Sequence, residues 1–323
     1  MSMSRRYDLI TFGETMIRLT AELGTRLEEA GALRVTIGGT ESNVAVALAR
    51  LGRQTAWFSA LPENPLGYRI AGELRRHGVN VDHILWTSGR VGLYFMEPGA
   101  APRPTRVLYD RADSAMARID PDAIDPSIVS DARILHLTGI TPALADGAAA
   151  ACLRLADAAT QANVPVSFDV NYRARLWTPD EAARGIQPLL ERTTLLFCGA
   201  ADASTIWGLT GEPASVALAL LDRSSAQTVI LTLGEHGSLA LTRDGRRFEQ
   251  SAVAVEPVDA VGAGDAFAAG FLHRWLDDAT NIPAALHSAA TLAAIKMTIY
   301  GDNAIITPDD LTLFDQAAPD IVR

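Results

Sequence analysis

The chain of 323 residues holds a single lysine, Lys296, against 27 arginines. This scarcity excludes two common ways of gripping nucleotide phosphates. A Gly-Lys-Ser/Thr loop and a protein-kinase strand each depend on a lysine, and Lys296 stands in Ala-Ala-Ile-Lys-Met, which is neither. Cysteine is nearly as rare. Cys152 falls in a helical, alanine-rich stretch and Cys198 in a strand-like one, with no second ligand type spaced beside either, so we expect inert core thiols and no disulfide. No run of about eighteen apolar residues is present, which argues against a membrane helix. The opening Met1-Ser-Met-Ser-Arg-Arg-Tyr7 lacks the apolar segment of a signal peptide, and a cytoplasmic location is expected. Positive charge is also in deficit, at net −10, which argues against a nucleic-acid surface.

What is present is the composition of a folded chain, 48% hydrophobic and 20% charged, enough for one large core with room for an appendage. Short apolar runs recur at 8–12, 56–60, 134–137, 164–168, 195–198, 229–233 and 239–242. Helical stretches separate them at 43–51, 66–77, 146–161, 180–192, 213–222, 263–276 and 283–299. The pattern predicts an α/β fold whose mainly parallel sheet is covered by helices on both faces. In the helix at 43–51, Val44, Ala47, Leu48 and Leu51 form one stripe and Gly52 a stop signal.

Two stretches, 15–37 and 91–111, fit this alternation poorly. Gly92-Leu-Tyr-Phe-Met-Glu97 and Thr105-Arg-Val-Leu-Tyr-Asp-Arg111 look like strands joined by a proline-rich turn, and the two stretches together predict a small sheet projecting from the body. Such a sheet beside a cleft would serve as a lid, and its exposed face as a surface for a second copy. We expect one domain over 1–323, with the lid segments inserted in it.

The segment most charged with chemistry is Asp259-Ala-Val-Gly-Ala-Gly-Asp265-Ala-Phe267. Small residues at Gly262, Ala263 and Gly264 let backbone N–H groups converge at the start of an apolar helix, and Asp265 faces whatever they hold. A base beside an anion cradle is the minimum for moving a phosphoryl group onto an alcohol. Far upstream, Gly38-Gly39-Thr-Glu-Ser-Asn43 precedes a helix. That is a phosphate or sugar loop, or else an ordinary turn with Asn43 as its cap. The pair of motifs, with Gly38 through Gly52 as the first and Asp259 through Phe267 as the second, resembles the PfkB or ribokinase-like family of small-molecule kinases over essentially the whole chain.

The resemblance implies ATP and Mg2+ as cofactors, Asp265 as the base toward a sugar hydroxyl, and Gly262 to Gly264 as the anion hole. It also implies that Thr232, Gly234 and Gly237, in Leu231-Thr-Leu-Gly-Glu-His-Gly237, lie beside the nucleotide, although a hairpin turn would need the same glycines. A Rossmann fingerprint fits poorly, because no third glycine follows Gly262 and Gly264 at the required spacing. Where many relatives carry Asn-x-x-Glu, this chain has Gly199-Ala-Ala-Asp202, so the ligands of the magnesium are left unassigned. A monovalent cation near Asp259 is common in the family. Backbone carbonyls hold it and leave no mark in a sequence, so a requirement here stays open.

Substrate choice falls to other residues. In the ribokinase branch an aspartate holds sugar hydroxyls where this chain has Arg18, which counts against a neutral, ribose-like substrate. Three segments are similar to 2-keto-3-deoxygluconate kinases: Gly92-Leu-Tyr94, Tyr109-Asp-Arg111 and Asp169-Val-Asn-Tyr-Arg173. That similarity implies that Tyr94, Tyr109, Arg111 and Arg173 meet the substrate, with Gly38, Asn43 and Asp302 as further holders. Arginine suits a keto acid because its planar fork pairs with a carboxylate through two parallel bonds. Tyr94 and Tyr109 could instead pack across strands, and Arg111 could lie on the surface. Asp169 is expected to order its turn, or nearby water and metal, rather than to perform catalysis. The rivals are a kinase of fructose or a related sugar and, in another class, a non-catalytic sensor on this fold.

Overall fold

Residues of the inner strands are apolar in adjacent pairs, and each pair divides between two cores. Leu9, Ile134, Leu195 and Ile230 enter one cluster, while Ile10, Leu135, Leu196 and Val229 enter the other. Strands buried on both faces are the signature of a sheet covered by helices on each side. The computed structural model describes residues 5–315. Met1 to Ser4, where a leader's apolar segment was sought, and 316–323 lie outside the described residues.

The strands are β1 (Tyr7–Phe12), β2 (Met16–Thr20), β3 (Arg34–Gly38), β4 (Thr55–Pro62), β5 (Val79–Asn80), β6 (Ile84–Thr87), β7 (Leu93–Glu97), β8 (Arg106–Asp110), β9 (Ala132–Thr138), β10 (Val166–Asp169), β11 (Leu195–Gly199), β12 (Thr228–Thr232), β13 (Ser238–Thr242) and β14 (Arg247–Gln250). The large sheet runs β14-β13-β12-β11-β10-β9-β1-β4-β5, with β6 beside β4. Its strands pair in parallel from β12 to β5, while β13 and β14 add an antiparallel edge.

The helices are α1 (Thr40–Arg50), α2 (Pro65–Arg76), α3 (Asp146–Gln161), α4 (Pro179–Leu190), α5 (Ala200–Trp207), α6 (Pro213–Asp222), α7 (Ala263–Trp275), α8 (Ile282–Met297) and α9 (Pro308–Asp315). One face is covered by α1, α2, α7 and α8, the other by α3, α4, α5 and α6. Close approach of α7 to α8 depends on Gly270, where an added Cβ would stand 2.5 Å from the Ser288 carbonyl oxygen.

Every expected strand has a counterpart, and the helices at 146–161 and 213–222 coincide with α3 and α6. Three differences carry information. Helix α1 begins at Thr40 with Gly39 as its N-cap, so Asn43 lies inside the first turn and does not cap. Residues after Gly199 wind into α5, which was not expected. The elements β5, β6, β14 and α9 were also missed, because short edge elements lack the two-sided apolar signal; β14 alternates exposed and half-buried residues.

The stretches 15–37 and 91–111 do form a second sheet, β3-β2-β7-β8, in which β2 pairs with β7 in parallel and joins two antiparallel hairpins. Side chains alternate across it. One register row brings Arg18, Tyr94 and Tyr109 together, and the row beside it brings Val35, Leu19, Phe95 and Leu108 together on the opposite face.

Candidate active site

The parallel strands end in loops that open on one cavity of about 490 Å³, lined by Glu14 after β1, Asp169 at the end of β10, Gly199 at the end of β11 and Thr232 at the end of β12. Ligands of open α/β sheets bind outside these carboxyl ends. The small sheet supplies another wall, including Tyr94 and Tyr109, whose rings stand 5.8 Å apart.

Helix α7 points its N-terminus into this cavity. Its N-cap, Gly262, has a φ of 84°, and a Cβ there would strike the Asp302 carbonyl oxygen. Both the left-handed backbone and the close approach require glycine. The first-turn N–H groups of a helix have no carbonyl one turn back, so with the helix dipole they form an anion site. Of the three small residues, Gly262 and Gly264 line the cavity. Ala263 does not, and its N–H is already engaged by Ala260 O at 3.2 Å.

Asp265 sits in the first turn of α7, 8% exposed. Burial pushes its carboxyl up to about 7, while the Asn43 amide and Arg173 act against that rise. Asn43 Nδ2 donates to Asp265 Oδ2 at 2.6 Å. Here lies the physical reason for the Gly-Gly loop: by starting α1 at Thr40, it turns Asn43 toward α7, two hundred residues away in sequence, where a capping role would have left it at the helix mouth. Asp169 is likewise pushed up to about 7, by burial and then by the charges of Asp265 and Asp202. Burial also raises Asp202, whose Oδ2 accepts from the Tyr172 N–H at 3.1 Å. These carboxyls share one end of the cavity with Arg173 as the neighbouring cation.

Gly38, Tyr94 and Asp302 converge as one unit. A Cβ on Gly38 would collide with both the Tyr94 hydroxyl and the Asp302 carboxylate, so only glycine leaves them room to face the cavity. Burial raises the Tyr94 hydroxyl well above its ordinary value, and the Asp302 charge adds to this. Arg18, placed in the sequence reading where relatives hold sugar hydroxyls, is buried in the wall. It bonds Asp302 Oδ1 and Asp259 Oδ2, each at 2.6 Å, and holds Asp302 in place.

The two arginines expected to clamp a carboxylate differ in state. Arg111 lines the cavity but is paired with Glu14, at 2.8 Å from Nε and 2.5 Å from Nη2. Arg173 lines the cavity on an exposed loop and has no carboxylate partner within ion-pair distance among the described residues. Of the nucleotide residues, Thr232 lines the cavity, whereas Gly234 and Gly237 form the turn joining β12 to β13. Gly234, with a φ of 61°, and Gly237, with a φ of 92°, both have the left-handed backbone that suits this hairpin turn. A Cβ on Gly237 would also strike the Gln250 carbonyl oxygen at the end of neighbouring β14.

Sequence reasoning missed Glu14 and Glu41. Glu41 is 1% exposed and accepts from the Thr138 and Thr141 hydroxyls, each at 2.7 Å, while burial raises its carboxyl. Glu14 presents one carboxylate oxygen, Oε1, that is buried without a hydrogen-bond partner. Each had one signal, a charge set among glycines and small residues, next to Gly13 or in Gly-Gly-Thr-Glu. Cys152 and Cys198 are buried core thiols, as expected.

A buried carboxylate in the first turn of a helix, at the carboxyl end of a parallel sheet and facing a cavity that a small second sheet also walls, is an arrangement suited to group transfer from an anionic donor. Residues 7–309 match the pfkB family carbohydrate kinase, and the chain belongs to that family. It is 42% identical over 305 residues to 2-dehydro-3-deoxygalactonokinase of Haloferax volcanii, covering 94% of this chain and 95% of that one. The crystal structure of 2-dehydro-3-deoxygluconokinase from Thermotoga maritima is similar at TM-score 0.87 and 32% identity, covering 95% of this chain and 99% of that one. The fold alone is shared with an E. coli chain described as a ribokinase II in complex with ATP and Mg2+, at TM-score 0.87 and 19% identity, covering 96% and 99%.

Proposed function

We propose that the chain transfers the γ-phosphoryl group of ATP to the primary hydroxyl of a 2-keto-3-deoxy sugar acid, 2-keto-3-deoxygluconate or its epimer at C4. The observation that carries this reading is Asp265, buried at the open N-terminus of α7 and held by Asn43 at 2.6 Å. As the hydroxyl oxygen attacks the γ-phosphorus, Asp265 takes its proton, the bond from that phosphorus to the β–γ bridging oxygen breaks and ADP leaves. The N–H groups of Gly262, Gly264 and the first turn meet the charge spread over the transferred phosphoryl oxygens, where positioning and electrostatics supply most of the acceleration.

The carboxyls of Asp169 and Asp202 suit Mg2+, which takes one or two protein carboxylates and leaves its remaining positions to water and phosphate. Bound there with ATP, the ion would neutralise phosphate charge. Among the described residues no group of three or more candidate ligands forms a self-sufficient metal centre, which agrees with an ion that arrives with the nucleotide.

The choice of an acid over a neutral sugar rests on Arg173, a cavity guanidinium without a carboxylate partner, and on the names of the two relatives. Arg111 contributes what its pairing with Glu14 leaves over, and Gly38, Asn43, Tyr94, Tyr109 and Asp302 surround the carbon chain. Glu14 Oε1 offers an acceptor to a substrate hydroxyl. Thr232 lies on the nucleotide side, and the small sheet closes over both as a lid. The greater identity to the galactonate enzyme favours the galactonate epimer as a second reading beside gluconate. A panel of both keto acids, fructose and ribose, assayed by coupled ADP detection, tests the proposal. Turnover should be confined to the keto acids, and faster turnover of fructose would overturn the assignment. Arg173→Lys should weaken the acid substrates far more than the neutral ones, because an ammonium cannot make the bidentate pair.

A further inference from the structure

The chain meets nearly all of its needs for positive charge with arginine, yet the one lysine is among its most buried residues. Lys296 is 0% exposed and stands in the last turn of α8. Its Nζ donates to Asp259 O at 2.8 Å and to Ile299 O at 3.2 Å. Asp259 is the first residue of the loop that leads to Gly262 and the base. An arginine could not serve here, because its flat fork spreads its donors, while the two carbonyls need a compact charge between them.

The rest of the loop is fastened to the same shelf. Asp259 N–H donates to Met297 O at 3.1 Å. Its Oδ1 accepts from the Val261 N–H and its Oδ2 from the Gly301 N–H, each at 3.1 Å, and Oδ2 also receives Arg18 at 2.6 Å. Gly262 then rests directly on the Asp302 carbonyl. Burial lowers the pKa of the ammonium from its ordinary value and Arg18 adds to this, while the negative charges of Asp259, Asp302 and Asp265 oppose the fall. A small cation held between backbone carbonyls under an anion cradle is the arrangement that a free potassium or ammonium ion would otherwise have to supply.

We propose that Lys296 is a positioning residue, a tethered monovalent cation that fixes the Asp259-to-Gly264 loop, so that phosphoryl transfer runs without added K+ or NH4+. Removing the ammonium leaves carbonyls that a free ion can occupy. The variant is therefore converted into an enzyme that depends on such an ion. The cation acts through the loop, so its loss lowers kcat and leaves KM for the sugar acid nearly unchanged.

The inference rests on the kinase reading above, and the test separates the two. Wild-type turnover with Mg-ATP and a keto acid is measured in choline buffer, then with K+, NH4+, Na+ or Li+ added. Turnover unchanged within about twofold is expected, whereas strong activation by K+ would overturn the proposal. Lys296→Ala should lose on the order of 10²-fold in kcat, the scale of a misplaced reacting group, and regain much of it in K+ or NH4+ but not in Li+. Full activity of this variant in choline, or a loss that neither ion reverses in protein with wild-type circular dichroism, would count against the role. If Lys296→Ala does not fold, the wild-type cation series still decides. If the wild type turns over no sugar acid, the kinase reading has failed instead, and melting temperature becomes the readout: K+ should raise that of Lys296→Ala and leave the wild type unmoved, and equal shifts would refute the proposal.

Discussion

Asp265 is surrounded by opposing influences, and its chemistry follows from their balance. Burial disfavours the carboxylate, and the Asn43 amide supports it. The result is a group poised near 7, which suits the proposed role of general base at neutral pH. With free enzyme, kcat/KM should therefore rise with pH through an apparent value near 7, which belongs jointly to Asp265 and Asp169 because the two are coupled. Asn43→Ala removes the influence that favours the charged form, so the rising limb should move to higher pH; a limb that stays in place would show that this hydrogen bond does not set the base. Asp265→Asn should lower kcat by about 10²- to 10⁴-fold, the usual range for a general base, with ATP affinity by calorimetry close to wild type. Retained turnover in that variant would refute the assignment.

At the scale of elements, the junction of β3 and α1 joins the two sheets and aligns the site. Gly38 is the last residue of β3, and its missing side chain leaves room for the Tyr94 hydroxyl from β7 and the Asp302 carboxylate from the far end of the chain. Gly38→Val should displace both groups and raise KM for the sugar acid, while nucleotide binding, proposed to centre on α7 and Thr232, should change little. Titration of each ligand against the variant separates these outcomes. The α7–α8 pair is the rigid support beneath: Gly270→Leu would force the helices apart at Ser288 and should cost about 1 to 3 kcal/mol of stability, as over-packing does, measured by denaturant unfolding.

For the molecule as a whole, the acidic cavity links stability to pH. Asp169 and Asp265 have folded values near 7 against an ordinary 3.8, so folding favours their protonated forms. Their contribution is complete below about pH 4 and is lost as pH rises through 7. The ligand-free melting temperature of the wild type relative to Asp265→Asn should therefore decline between pH 5 and pH 8. A flat difference would contradict the burial of this charge. The outer face of the small sheet, where Leu108 is 51% and Val35 38% exposed, is proposed to be covered by a second copy of the chain. Leu108→Glu should shift the wild-type sedimentation coefficient to that of a monomer, and a monomeric wild type would dismiss the pairing.

The architecture was legible in the chain, as was the glycine-flanked helix start that carries Asp265, because both depend on local patterns. Paired apolar residues specify doubly buried strands, and the glycines before Asp265 specify a helix mouth with a carboxylate in its first turn. The seven residues expected around the substrate all reached the cavity, since short motifs at strand ends are brought together by the parallel sheet. Which charges are available there depends on contacts made after folding. Arg18 and Arg111 look alike in sequence to Arg173, yet the first is consumed by Asp259 and Asp302 and the second by Glu14. Lys296 had no visible purpose until Asp259 and Ile299 were seen beside it. Partners contributed by distant segments carry no periodicity and no spacing, so the state of a buried charge emerges only when the chain has folded around it.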